Sequence, residues 1–172
     1  EPVVVVSIKS VDGLLSDVKY VLSAGGSPEL GDLVDGMIDQ FTQGKGLTGV
    51  DRSKPLGAYV SLNAAGTPDI VIFIPVTDNK GFRDLLATFL PNQQEVAGGM
   101  FSIQAEGQQF YGKFANGHCF LTLLPAALNK LPDPSRIANT KHAIAIAAAL
   151  SKIPEAVKDG LVEQLEGVLH VI

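Results

Sequence analysis

The residues GKGLTG at positions 44–49 have the G-x-G-x-x-G spacing of a dinucleotide-binding loop. In such a loop the glycines follow a strand and open a helix, whose N-terminus receives the pyrophosphate. Here Gly44, Gly46 and Gly49 follow a predicted helix and precede a predicted strand, and we expect no helix N-terminus to face them. We therefore interpret the segment as a helix C-cap and turn in which glycine supplies a positive φ.

The other reactive residue types form no recognisable catalytic or metal-binding pattern. The three histidines lie on different predicted elements. His118 and Cys119 are neighbours in a predicted strand, so their side chains point to opposite faces and cannot share a ligand. Ser102, His118 and Glu106 fall in one predicted sheet, but a strand separates Ser102 from His118, and no nucleophile elbow is visible. We predict no catalytic residue, no cofactor and no metal site.

Composition excludes several classes of partner. The chain has 172 residues, of which 46% are hydrophobic, and a mean hydropathy of +0.24. Its formal net charge is −5, with no cluster of lysine and arginine, which argues against nucleic acids and anionic membranes. The apolar runs VVVV at 3–6 and IVIFIPV at 70–76 are too short for transmembrane helices, and we interpret them as buried strands.

Periodicity and capping residues predict the elements of the first half of the chain. Ser10 and Asp78 are suited to cap helices, and Pro91 is suited to end one. Counting two consecutive helices as one, the order is β-α-β-β-α-β, which is that of a ferredoxin-like split βαβ unit. The predicted elements are a strand at 3–8, helices after Ser10 and after Ser27, strands at 57–63 and 69–76, and a helix between Asp78 and Pro91.

Residues 99–124 are predicted to form a three-stranded β-meander whose register can be derived. The pair NG at 116–117 is a strong signal for a two-residue hairpin, and EG at 106–107 is a weaker one. Two-residue loops at both turns place Phe114 opposite Cys119 and Phe101 opposite Gly112. With these pairings, apolar side chains of all three strands lie on one face of the meander. Shifting the register by one residue would destroy this agreement.

The opposite face of this meander mixes aromatic and polar side chains. Such a mixture is typical of protein interfaces, so we interpret it as a candidate interaction surface. The alternative is that helices or a second domain cover it. The predicted surface consists of Met100, Tyr111, Lys113, His118 and Phe120.

The predicted fold class is α+β, with a mainly antiparallel sheet and helices on one face. We predict an α+β domain at 1–131, a linker loop at 132–141 and a strand–helix unit at 142–172. The last unit either packs on the same domain or starts a second repeat, because residues 3–18 and 143–160 both read as strand, short link and helix. In the second case the chain is a piece of a longer precursor.

Three segments resemble uncharacterised exported proteins of planctomycete-type bacteria. They are GLTGVDRSKPLGAYV at 46–60, VIFIPVTDNKGFRDLL at 71–86 and SKIPEAVKDGLVEQL at 151–165. The resemblance implies export behind a signal peptide, a longer parent chain and an α+β domain. It implies no activity and supplies no catalytic residues.

These observations favour a non-enzymatic module that acts by protein contact, in assembly or at the cell envelope. Its partner would be a further copy of the chain or another protein. The alternative is a carrier of an apolar small molecule or lipid, held between the sheet and the helices. An enzyme is the least supported class.

Overall fold

The computed structural model describes residues 1–27, 29–63, 66–105, 107–149 and 151. Its strands are β1 (Pro2–Ile8), β2 (Leu56–Leu62), β3 (Pro68–Pro75), β4 (Gln93–Val96), β5 (Met100–Ala105), β6 (Gln108–Ala115), β7 (His118–Thr122) and β8 (Ile144–Ala148). They form one sheet in the order β4-β5-β6-β7-β3-β2-β1-β8, in which every described pair is antiparallel. The predicted α+β class and antiparallel sheet are confirmed.

Two helices begin directly after the predicted capping residues Ser10 and Asp78. The helices are α1 (Val11–Ala24), α2 (Glu29–Phe41), α3 (Asn79–Phe89) and α4 (Pro134–Ile137), with a 3₁₀ helix at Pro125–Asn129. The Ser10 side chain accepts a hydrogen bond from the Gly13 amide at 2.9 Å, which caps α1. The Asp78 carboxylate accepts from two amides in the first turn of α3. These bonds satisfy N–H groups that have no partner within the helix.

The ferredoxin-like beginning is not confirmed. A split βαβ unit contains parallel strands joined through a helix, whereas β1, β2 and β3 are consecutive antiparallel neighbours. Strand β4, which was not predicted, adds an edge beside β5. The predicted meander is confirmed, with Phe114 opposite Cys119 and Phe101 opposite Gly112.

The prediction of helices on one face is wrong, because helical segments cover both faces of the sheet. On the face that we call the α3 face, Phe82 and Leu86 of α3 pack near Cys119 of β7. On the other, which we call the α4 face, Leu128 of the 3₁₀ helix and Ile137 of α4 pack with the central strands. Buried residues of the α4 face are Val5, Tyr59, Val71, Phe73 and Phe120, and those of the α3 face are Val76, Phe101, Ile103 and Cys119.

The segment at 132–141, predicted to be a linker, contains α4 and packs on the sheet through Ile137 and Ala138. Beyond it, β8 pairs with β1 over Ile144–Ala148. The helix predicted from Pro154 lies outside the described residues, so the division into a domain and a following unit stays a prediction. None of the helices in the described part of the chain has the length and apolar character needed to span a bilayer.

Candidate interaction surface

The predicted interaction surface lies together on the α4 face, but part of it is covered. Met100, Lys113 and Phe120 form one row across three strands. Phe120 is completely buried and His118 is 5% exposed, because the 3₁₀ helix and α4 lie over the central strands of this face. These two residues therefore contribute to the core of the chain. Met100, Tyr111 and Lys113 are half-buried, and their contact with a partner stays a prediction.

His118 has the surroundings of a structural residue. Its Nδ1 lies 2.9 Å from the carbonyl oxygen of Asn116, and its Nε2 lies 3.3 Å from that of Pro55. Carbonyl oxygens only accept, so a neutral ring can donate to one of them and an imidazolium to both. The rings of Phe73 and Phe120 lie 6.1 and 6.2 Å away. His118 thus links β7 to the loop before β2.

Cys119 points to the α3 face, opposite to His118, as predicted from strand alternation. It is fully buried, and burial raises the pKa of its thiol to about 12. Because the thiolate is the reactive form of cysteine, this residue is inert at neutral pH. Within the described ranges there is also no group of three or more histidine, cysteine or acidic residues that could hold a metal ion.

The glycine loop at 44–49 is a connector between α2 and the sheet. The Gly44 amide donates to the Asp39 carbonyl at 2.7 Å, which closes the C-terminus of α2. The expectation that no helix N-terminus faces this loop is wrong, because Gly49 lies against the N-terminal turn of α3, beside Gly81. The carboxylate of Asp78 already caps two amides of that turn, so the chain itself supplies the anion that a phosphate-binding turn would take from a ligand.

The part of the chain that the structure describes leaves a large apolar area of the α3 face uncovered. Helix α3 packs near β5, β6 and β7, whereas β8, β1, β2 and β3 have exposed apolar side chains on the same face. These side chains form one continuous area, because residues of adjacent strands that point to this face are paired directly opposite one another. We call this area the open sheet face; its most exposed members are Val6 (39%), Ile70 (60%), Ile72 (43%), Ile144 (58%) and Ile146 (74%).

The open sheet face has no charged residue among its members, and it continues into a shallow groove. The groove has a volume of about 360 Å³ and runs from Pro68 and Ile72 on β3 to Leu121 on β7 and Leu123 beyond it. Aliphatic side chains at 39–74% exposure are costly to leave in water when they are contiguous, and patches of this kind mark contact sites. Of these strands, the runs at 3–6 and 70–76 are interpreted from the sequence as buried, because an apolar run does not show which faces are covered.

Helices α1 and α2, which we call the helical hairpin, form a second apolar surface that no other described element buries. No residue of α1 is buried, and of α2 only Gly31 is. Lys19 binds Asp35 at 2.6 Å and holds the two helices together. The spacing of four places Leu33, Met37 and Phe41 in one stripe along α2. The most exposed apolar residues of the hairpin are Tyr20 (75%), Val21 (66%), Leu33 (59%), Met37 (68%) and Phe41 (77%).

A cavity of about 420 Å³, whose lining contains several charged and polar side chains, lies on the α4 face at the start of β1. Tyr59 and Ser61 line it from the sheet, and Lys130, Asp133 and Arg136 line it from the segment that covers this face. The Tyr59 hydroxyl is buried without a hydrogen-bond partner among the described residues, and burial raises its pKa to about 12. Acidic and basic residues both line the cavity, so it has no clear preference for one charge of ligand.

Comparison of the chain with protein-family models, with curated proteins and with solved structures gave no match. The geometry of these surfaces is therefore the basis for assigning a function.

Proposed function

We propose that the chain is a non-enzymatic module that works by protein contact, with a further copy of itself as the partner. The observation that supports this is the open sheet face, which is apolar, uncharged and contiguous over four strands. Lack of charge favours burial against another apolar surface over recognition of an ionic ligand. The chain itself presents such a surface in its helical hairpin.

Burial of the open sheet face alone supplies enough free energy for a weak contact, but too little for a tight one. Complete burial of an aliphatic side chain contributes roughly 1.5–3 kcal/mol. The five most exposed members of the open sheet face have, on average, about half of their surface left to bury, so together they contribute roughly 4–8 kcal/mol. Association itself costs roughly 4–15 kcal/mol. A stable contact therefore needs further surface from the same chain.

Light scattering after size exclusion, over a series of concentrations, tests the proposal. We expect the mass to rise from the monomer value of 18.1 kDa towards twice that value. Ile72→Lys should return the protein to the monomer, because it places a charge at the centre of the open sheet face. Gln94→Lys is the matched control, since it adds the same charge on the exposed surface of the opposite edge strand. A monomer at every concentration would contradict the proposal.

Export to the cell envelope is a further part of the proposal. Its support is the resemblance of residues 46–60 and 71–86 to exported bacterial proteins. Fractionation of cells that make the protein naturally, followed by immunodetection, would test it. We expect the protein outside the inner membrane, and its confinement to the cytoplasm would contradict export.

The carrier of an apolar molecule is the second candidate, and the groove beside Ile72 favours it. The groove lies on the open sheet face, not between the sheet and the helices. It is lined by strand residues and by Leu123 and Leu124, which follow β7. Native mass spectrometry of protein purified without detergent distinguishes the candidates. A co-purified lipid that is lost in Ile72→Lys would support the carrier, and its absence would remove that candidate.

A further inference from the structure

We propose that the helical hairpin of one copy lies on the open sheet face of a second copy, and that the second copy's hairpin lies on the first in return. This inference rests on the proposed self-association and names the elements that form the contact. Each copy then covers both apolar surfaces that the described residues of the other copy leave exposed. The same pair of contacts occurs twice about a two-fold axis, as in most protein dimers.

The two surfaces match in chemistry and in size. Layers of helix on sheet are the usual way in which an α+β domain buries the apolar sides of both elements. The stripe from Leu33 to Phe41 is about 12 Å long at 1.5 Å per residue. The four strands β8, β1, β2 and β3 are about 14 Å across at roughly 4.8 Å per strand. One helix can therefore cover the width of the open sheet face.

The ends of the hairpin are fixed, which argues for a second copy rather than for closure within one chain. At the start of α1, the Asp12 carboxylate binds the Arg52 side chain at 2.7 Å. The backbone amide of Asp12 also donates to the Arg52 carbonyl, at 3.1 Å. At the end of α2, the Phe41 ring stacks on Phe89 of α3 with centroids 5.7 Å apart. A hairpin that turned onto its own sheet would have to break these contacts.

The charges of α2 disfavour a lipid surface as the occupant of the hairpin. Glu29, Asp32, Asp35 and Asp39 accompany the apolar stripe along this helix, and α2 contains no basic residue. Anionic headgroups would repel such a helix. A sheet face without charge accepts the apolar stripe and leaves the carboxylates at the rim in water.

Cross-linking between two singly substituted proteins tests the geometry. Met37→Cys places a thiol on the hairpin, and Ile72→Cys places one on the open sheet face. The native Cys119 is fully buried and does not compete. After mixing and mild oxidation, we expect a disulfide-linked species of twice the monomer mass that reduction removes. Met37→Cys mixed with Gln94→Cys is the control, and it should stay at the monomer mass.

The outcomes separate the inference from the function on which it rests. If Ile72→Lys disrupts the dimer but the mixture of cysteine variants gives no Met37–Ile72 cross-link, the proposed self-association stands and the hairpin geometry is overturned. A cross-link at the monomer mass in the Met37→Cys/Ile72→Cys double variant, with none between chains, overturns it in favour of closure within one chain. Strict monomers without any cross-link contradict both.

Discussion

Replacement of Gly49 by alanine tests the role of the glycine loop as a packed connector. Gly49 has a φ of +80°, a conformation that residues with a side chain rarely adopt. An added methyl group would lie within 2.8 Å of three backbone atoms, at Asp78, Gly81 and Phe82. Backbone atoms cannot rotate away, so the first turn of α3 or the loop itself would have to move.

The magnitude can be estimated by comparison with the other glycines of the loop. Gly44 and Gly46 also have positive φ values, +75° and +58°, but an added methyl group would meet nothing within 4 Å. Alanine at those two positions therefore carries only the cost of the left-handed backbone, about 1–2 kcal/mol. Gly49→Ala adds an overpacking cost of about 1–3 kcal/mol. We expect a total loss of roughly 2–5 kcal/mol at Gly49.

Urea unfolding followed by far-ultraviolet circular dichroism measures the three free energies directly. We expect Gly49→Ala to lose more stability than Gly44→Ala and Gly46→Ala, which should be similar to each other. Equal losses in all three variants would refute the packing argument. Addition of a dinucleotide should leave the wild-type free energy of unfolding unchanged, and an increase would restore the nucleotide-binding interpretation.

Three further predictions concern buried or paired groups. Tyr59→Phe should raise the free energy of unfolding by about 1 kcal/mol, because an unpaired buried hydroxyl costs roughly 1–3 kcal/mol; a decrease would indicate a water or ligand on that hydroxyl. Asp51 accepts a hydrogen bond from the Ser53 hydroxyl at 2.7 Å and pairs with Lys54 at 2.9 Å, which lower its pKa from 3.8. The contribution of Asp51 to stability is therefore present above pH 3.8 and is lost as the pH falls through the lowered pKa. We expect Asp51→Asn to lower the melting temperature at neutral pH but not in strong acid. Cys119 should react with Ellman's reagent only after unfolding, and rapid reaction in the native state would contradict its burial.

Features that depend on neighbouring residues were predictable from the sequence. The caps at Ser10 and Asp78 involve bonds that span two or three residues, so the residue types alone indicate them. The register of β5, β6 and β7 followed from two short turns and one apolar pattern. Strand β4 was missed because QQEV is mostly polar. The glycines at 98 and 99, which precede β5, were a usable hairpin signal.

Only part of the candidate interaction surface could be predicted from the sequence. Alternation correctly placed Phe120 and Lys113 on one face of the meander. It did not show that Leu128 and Ile137, which lie in short and loop-like segments, would cover that face. The apolar pattern of β3 correctly predicted a strand, but the exposure of Ile70 and Ile72 follows from the position of α3 on the sheet. Coverage is a property of the assembled layers and not of any one segment.

The sequence by itself determined most of the elements, the caps at Ser10 and Asp78, and the pairing of the meander strands that short turns join. The tertiary structure decided that β3 pairs with β7 and that β8 pairs with β1. Partners so distant in the chain are selected by the free energy of the whole sheet, because closing a long loop is compensated only when many contacts form together. The open sheet face arises from that choice, since it joins the apolar sides of β8, β1, β2 and β3 where no helix of the described chain covers them.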